Sequence, residues 1–222
     1  MVEEPLRRPP LADPARALAV GYAPAAARAG VAALLALDDR LGAIARGGRD
    51  PMVRTLRLTW WFEALEALDA APPPAEPVLR ALAAEVLPRG VAGVYLAGMV
   101  DGWELMVGGG PLGDAELADF GKARGSALFA AMAELCGSAD GQAREAGAGW
   151  ALADLARTAP DAATRERAKA MAAERLRQAT ARRWSRAGRA LGALALIARA
   201  EMEARAGAGL VGRLLLHRLT GR

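Results

Sequence analysis

Trp60 and Trp61 stand side by side in a run, residues 51 to 69, whose apolar positions repeat at helical spacing. Val53, Leu56, Trp60, Ala64 and Leu68 recur every three or four residues, and Leu58, Trp61 and Leu65 form an adjoining stripe. Asp50 and Pro51 supply a start. A carboxylate at the N-cap accepts the free first-turn amides, and proline at the first position has no amide to leave unpaired. The two stripes cover more than half the circumference, which predicts a helix enclosed by others. Arg57 falls between them, and an enclosed guanidinium needs an anion or a carboxylate partner.

The same chemistry runs through the chain. Apolar residues make up 53% of it but aromatics only 5%, with Ala and Leu dominant. Val, Ile, Thr and Tyr are too sparse for many strands. Gly and Pro fall mainly between periodic runs, so the fold class is all-α, and 222 residues suffice for one domain with a sizeable core. Residues 1–14 read as a loosely ordered Pro-rich segment, 15–206 as the helical domain, and 207–222 as a basic amphipathic helix. Within the domain, helices are expected from about Ala15, from Pro24 to Arg46, from Asp50, from Val78 to Val86 and from Pro88. Asp114 is expected to cap a further helix carrying Leu117, Phe120, Leu128, Met132 and Leu135. Beyond it lie Gln142 to Arg157 and a long segment from Ala162 to Arg205 with a break near Gly188. Gly108 to Pro111 lacks the Lys-Ser/Thr of a phosphate-binding loop and reads as a turn.

Several function classes are excluded or weakened. Cys136 is the single cysteine, which removes a disulfide framework and a Cys-based metal site and points to a reducing compartment. No apolar run is long enough to span a bilayer, and the acidic start has no apolar segment of a signal peptide. The expected location is the cytoplasm, with peripheral contact at the inner face of the membrane left open. Residues 165–222 carry 14 basic and 4 acidic side chains, net +10, against −6 for residues 1–164. Such a half could face anionic lipid or an acidic partner. Nucleic acid is disfavoured, because Trp184 is the one aromatic there and no binding motif occurs. In the last helix Leu210, Val211, Leu214, Leu215 and Leu219 oppose Arg213, Arg218 and Arg222, a pattern suited either to an anionic membrane surface or to packing on the domain. His217, the only histidine, reads as a surface residue without catalytic neighbours.

The remaining candidates are carboxylates on helices. Asp38 shares a face with Val31, Leu34, Leu35, Leu41 and Ala45, and Asp39 is offset by about 100°. An inward carboxylate must be paired, metal-bound or near a helix end. Two acids at i and i+4 can hold hydrated Mg²⁺, which in turn binds a diphosphate. Here the i+4 positions are Gly42 and Ala43, which cannot ligate. Pairing with Arg40, Arg46 or Arg57 is the competing reading.

At this point three stretches in order carry a likeness: residues 33 to 41 (Ala-Leu-Leu-Ala-Leu-Asp-Asp-Arg-Leu), 57 to 65 (Arg-Leu-Thr-Trp-Trp-Phe-Glu-Ala-Leu) and 87 to 104 (Leu-Pro-Arg-Gly to Asp-Gly-Trp-Glu). With the small-residue helix around Gly121 to Gly125 and the segment Gly149 to Arg157, the chain resembles the squalene/phytoene synthase family over about residues 15 to 205. The Arg-x-x-Trp-Trp signature is closest to the degenerate branch that includes the mitochondrial complex I assembly factor.

That resemblance implies an isoprenoid-synthase-like helical bundle around a central cavity. Active members join two prenyl diphosphates head to head in isoprenoid, carotenoid or hopanoid biosynthesis, with Mg²⁺ held by two facing aspartate-rich motifs. Carried over, the diphosphate and metal region falls on Asp38, Asp39, Asp154, Arg157 and Arg57, with Asp38, Asp39 and Asp154 as weak metal ligands. Trp60, Trp61, Trp103, Gly121, Gly125 and Trp150 would line the cavity. Both motifs are eroded: Thr158 and Ala162 stand where acids are expected, and Asp161 is shifted by one position. The expectation is a pseudoenzyme that binds an isoprenoid, a lipid or a protein partner. The alternative is an active Mg²⁺-dependent prenyltransferase.

Overall fold

The computed structural model describes residues 11, 13–203 and 208–222. These residues form helices and loops without a strand. The expected 1–14 segment thus lies almost wholly outside the described residues.

The chain begins with α1 (Pro14–Val20), capped by the Asp13 carboxylate on Ala15 N, and continues through a 3₁₀ turn into α2 (Arg28–Arg46). The run around the paired tryptophans is α3 (Pro51–Ala67). Asp50 caps it on the amide of Met52, as the Asp-Pro pair requires. Pro77 opens α4 (Pro77–Glu85). Pro88 sits in a short 3₁₀ turn, and the next helix, α5 (Gly93–Glu104), begins only after Gly90 at φ 91° has reversed the chain. Here the expected start at Pro88 is corrected by five residues, because a left-handed residue cannot continue a right-handed helix.

Asp114 proves to be the first residue of α6 (Asp114–Phe120), with Gly113 at the cap. The helix expected through Leu135 changes hydrogen-bond register in the middle. Residues Gly121–Ser126 are π-helical and lead into α7 (Ala127–Cys136). α8 (Ala143–Thr158), α9 (Ala162–Ala181), α10 (Arg189–Met202) and α11 (Ala208–Thr220) complete the chain. The break expected near Gly188 is real and extends from Arg182 to Gly188.

α8 is the central element, packed against α9, the π-helical segment, α10 and α7. Its closest approach is backbone to backbone. A Cβ added to Gly125 would lie 2.1 Å from the carbonyl oxygen of Gly147, and one added to Gly147 would lie 2.2 Å from that of Gly125. Only a pair of glycines permits that distance.

α3 departs from expectation. It packs on α5 and α2 through Leu58, Trp61, Ala64 and Leu65, which are buried. The other stripe is buried only at its C-terminal end, Ala64 and Leu68, and faces solvent before that: Val53 is 50% exposed, Leu56 64% and Trp60 45%. Periodicity set the helix, but no element among the described residues covers the rest of its second face. Val94 on α5 is exposed as well. α11 buries Leu214 and His217 against the domain, so His217 is a core residue rather than the expected surface one. Its ring fits because Gly192 has no side chain: a Cβ there would lie 2.5 Å from His217 Cε1.

Candidate functional site

Asp38 on α2 and Asp154 on α8 face each other across the middle of the bundle, and the guanidinium of Arg124 lies between them. Arg124 Nε and Nη2 donate to the two carboxylate oxygens of Asp38 at 2.8 and 2.9 Å. Its Nη1 donates to Asp154 Oδ2 at 2.7 Å. Arg124 comes from the π-helical segment, whose wider turn accompanies the side chain's inward position among Gly121, Gly125 and the buried aromatics.

The two acids are saturated by further donors. Asp38 also accepts from Arg16 Nη1 at 2.9 Å and from Trp103 Nε1 at 3.2 Å. Asp154 accepts from Arg46 Nη2 at 2.6 Å and from Arg157 Nη2 at 3.4 Å. Arg16 reaches Asp39 at 2.7 Å, and Arg157 also pairs with Glu201. The result is four carboxylates interleaved with four guanidiniums. Aromatic faces enclose it: Arg124 lies 4.0 Å from the ring centre of Trp103 and 4.9 Å from that of Trp150. Arg46 covers Trp103, and Arg16 covers Trp150.

Burial alone would push both carboxyls up, since a charge is poorly solvated there. For Asp38 the opposing pull of Arg124 and Arg16 wins, and its carboxyl is held below its ordinary value. Burial is likewise outweighed at Asp154 by Arg124 and Arg46, so it too is held below the usual carboxylate range. Arg124 is driven the other way: desolvation disfavours its charge, but Asp38 and Asp154 raise its affinity for the proton. Asp38, Asp154 and Arg124 are therefore all held in their charged forms at neutral pH.

The structure therefore brings together Asp38, Asp39, Asp154, Arg157, Trp103 and Trp150 among the candidate residues. It leaves out Arg57, which is exposed on α3, and Trp60, which shares that outer face. Trp61 is buried between α3 and its neighbours and belongs to the core. Gly121 and Gly125 admit a helix rather than a ligand: both lie against α8, at Ala148 and Gly147. Of the arginines considered as partners for Asp38, Arg46 goes to Asp154 and Arg40 to Glu76. Arg16 and Arg124, which hold Asp38, escaped sequence reasoning. An arginine among small residues in Gly-Lys-Ala-Arg-Gly-Ser gives no local sign of burial.

The residues present do not fit Mg²⁺. Among the described residues no group of three or more His, Cys, Asp or Glu side chains is placed to hold a metal ion. Magnesium requires near-octahedral oxygens at about 2.0–2.1 Å and keeps several waters. Here the position between the acids belongs to a guanidinium. The space beside Asp154, bounded by Arg16, Trp150, Arg157 and Glu201, is about 20 Å³. That is room for about one water. Elsewhere at the centre, Trp103, Phe120 and Phe129 are buried between the helices.

Comparison with known proteins places this arrangement in a family. The model of the squalene/phytoene synthase family matches residues 10–220. Among solved structures, the chain is similar to a dehydrosqualene synthase crystallised with a ligand, with a TM-score of 0.68 at 14% identity. That match covers 91% of this chain and 89% of the other, and shows a shared fold. No curated protein matches the sequence. The chain belongs to the squalene/phytoene synthase family and has its all-α isoprenoid-synthase fold.

Proposed function

We propose that this chain is a non-catalytic member of the family, akin to its degenerate branch, that works by binding rather than by condensing prenyl diphosphates. One observation carries the reading: Arg124 bonds both Asp38 and Asp154, the residues that would have clamped magnesium. A bridging dication would have to displace that guanidinium, and breaking a buried ion pair costs about 3–5 kcal/mol. Asp38 has no second acid one turn later to offset this, and neither has Asp154, which is followed by Thr158. Without the metal, the charge on the departing diphosphate has no counterpart worth several kcal/mol.

Space argues the same way. Sites for small ligands hold about 300–1,000 Å³, against the 20 Å³ beside Asp154. An isoprenoid, lipid or protein partner would meet the outer surface, where Met52, Val53, Leu56 and Trp60 form an uncovered apolar stripe on α3. Peripheral contact with a membrane through α11 is part of this reading. No helix among the described residues is long and apolar enough to cross a bilayer.

The second reading, an active prenyltransferase, draws on the convergence of Asp38 and Asp154 from two helices, which would serve Mg²⁺ if Arg124 withdrew. Incubation with farnesyl or geranylgeranyl diphosphate and Mg²⁺, followed by product analysis and calorimetry, separates the two. The expected result is no condensed product. Robust turnover abolished by Asp38→Asn would establish the second reading and end the first.

A further inference from the structure

The loop after α1, the first residue of α2, the start of α10 and Arg218 of α11 line an open pocket of about 510 Å³. Four arginines line it, Arg28, Arg186, Arg189 and Arg218, together with Tyr22 and small residues, and among the described residues no carboxylate does. Asp140 lies beside Gly188 but is held by Ser138 and Ser185.

Three of the arginines, Arg28, Arg189 and Arg218, make contacts that leave their charge without a carboxylate partner among the described residues. Arg28 donates through Nε to the carbonyl of Ala23 and through Nη2 to that of Gly21. Arg189 donates to the carbonyl of Arg218, and its buried Nε has no acceptor. Arg218 lies over the ring of Tyr22 at 5.6 Å, and Tyr22 in turn stacks on the buried His217. Burial, and then the like charges of Arg183 and Arg186, make the proton of Arg189 easier to lose than usual. An anion in the pocket would relieve that repulsion.

What surrounds the pocket decides which anion. Val211, Leu215 and Leu219 follow one another at i, i+4 and i+8 on the outer face of α11, and each is more than half exposed. At about 100° per residue, Arg218 lies about 60° around the helix from Leu215, so the apolar stripe borders the basic pocket. A soluble phosphate would use the arginines and leave the leucines in water. A phospholipid at a membrane surface uses both, headgroup phosphate against guanidinium and acyl region against leucine.

We infer that the pocket lined by Arg28, Arg186, Arg189 and Arg218 takes the phosphate of an anionic phospholipid, with the outer stripe of α11 seated in the membrane surface beside it. This deepens the surface-binding reading proposed above but does not depend on whether the central cluster is catalytically dead, since it involves none of those residues.

Sedimentation of the full chain with vesicles of phosphatidylcholine, with and without phosphatidylglycerol, tests it. Three proteins are compared: the wild type, Arg186→Gln/Arg218→Gln, and Leu215→Ser/Leu219→Ser. All four positions are exposed, and circular dichroism checks that folding is unchanged. The wild type is expected to bind only the vesicles containing phosphatidylglycerol, less at high salt. The double arginine variant should bind about thirtyfold more weakly, and the double leucine variant should also lose binding. Excess glycerol phosphate in solution should compete poorly. Absence of wild-type binding, equal binding by the arginine variant, or full competition by glycerol phosphate with no effect of the leucine changes would each overturn the inference.

Discussion

Arg124 is bonded through one guanidinium to Asp38 at 2.8 and 2.9 Å and to Asp154 at 2.7 Å, and so ties α2 to α8 through a residue of the π-helical segment between α6 and α7. The cluster is overdetermined: each acid accepts from at least three donors, and the cation rests on aromatic rings. This makes Arg124 a structural cation that holds the two facing carboxylates together.

Removing Arg124 alone should be far worse than removing both partners. Arg124→Met leaves Asp38 buried with a diminished set of donors, and about 3–5 kcal/mol of stability should be lost. Asp38→Asn/Arg124→Met removes the uncompensated charge as well, and should recover part of that loss. Urea denaturation of both variants measures the difference. Equal stabilities would mean that the two residues do not depend on each other.

Acid should unfold the protein through the same cluster. Asp38 and Asp154 have folded-state values below their unfolded ones, so the unfolded chain binds more protons as pH falls. Their contribution is complete above the ordinary carboxylate value of about 3.9 and is lost as pH drops below it. Thermal melts should therefore show a steep loss of stability below about pH 4. In Asp38→Asn/Arg124→Met that loss should be shallower.

His217 adds a milder dependence nearer neutrality. Burial, with Arg189 nearby, lowers its value despite the hydrogen bond between Nε2 and the Arg189 carbonyl. The neutral ring is the folded form, so its contribution is present above the unfolded value of about 6.5 and lost as pH falls below that. Amide exchange in α11 should accelerate on acidification before the rest of the domain responds. Gly192→Ala, which drives a methyl into the His217 ring, should produce the same loosening at neutral pH.

Gly125→Ala should prevent the π-helical segment from docking. The added carbon would lie 2.1 Å from the Gly147 carbonyl oxygen, and backbone cannot step aside as a flexible side chain can. Expression and a cooperative melt report the result: a variant as stable as the wild type would contradict the close packing of the segment on α8.

Much of the fold could be read from the chain because its signals are local. Asp50 caps Met52 and Asp161 caps Thr164, each by a side chain two or three residues from its partner. The helical spacing of Leu58, Trp61 and Leu65 gives the buried face of α3 directly. The outer face did not follow, because spacing reports that Leu56 and Trp60 are apolar and says nothing of what covers them. Asp38 was legible as an inward acid from the apolar face it shares, whereas Asp154 entered only through the family resemblance. Their partners were not legible: Arg16 and Arg124 lie 22 and 86 residues from Asp38, and the π-helical register that accompanies Arg124's inward position leaves no periodic trace. His217 was misread for a related reason, since its burial depends on Gly192 and Tyr22, remote from it in sequence.

The proposal that Arg124 has taken the place of a magnesium ion is tested most directly by the electron paramagnetic resonance of Mn²⁺, which replaces Mg²⁺ at oxygen sites. The free-ion signal is measured with the full chain and farnesyl diphosphate, against farnesyl diphosphate alone. If Arg124 occupies the place of the metal, adding the protein leaves the signal as it is. A signal quenched by the wild type, and restored by Asp38→Asn or Asp154→Asn, would show that the two carboxylates still hold a divalent ion.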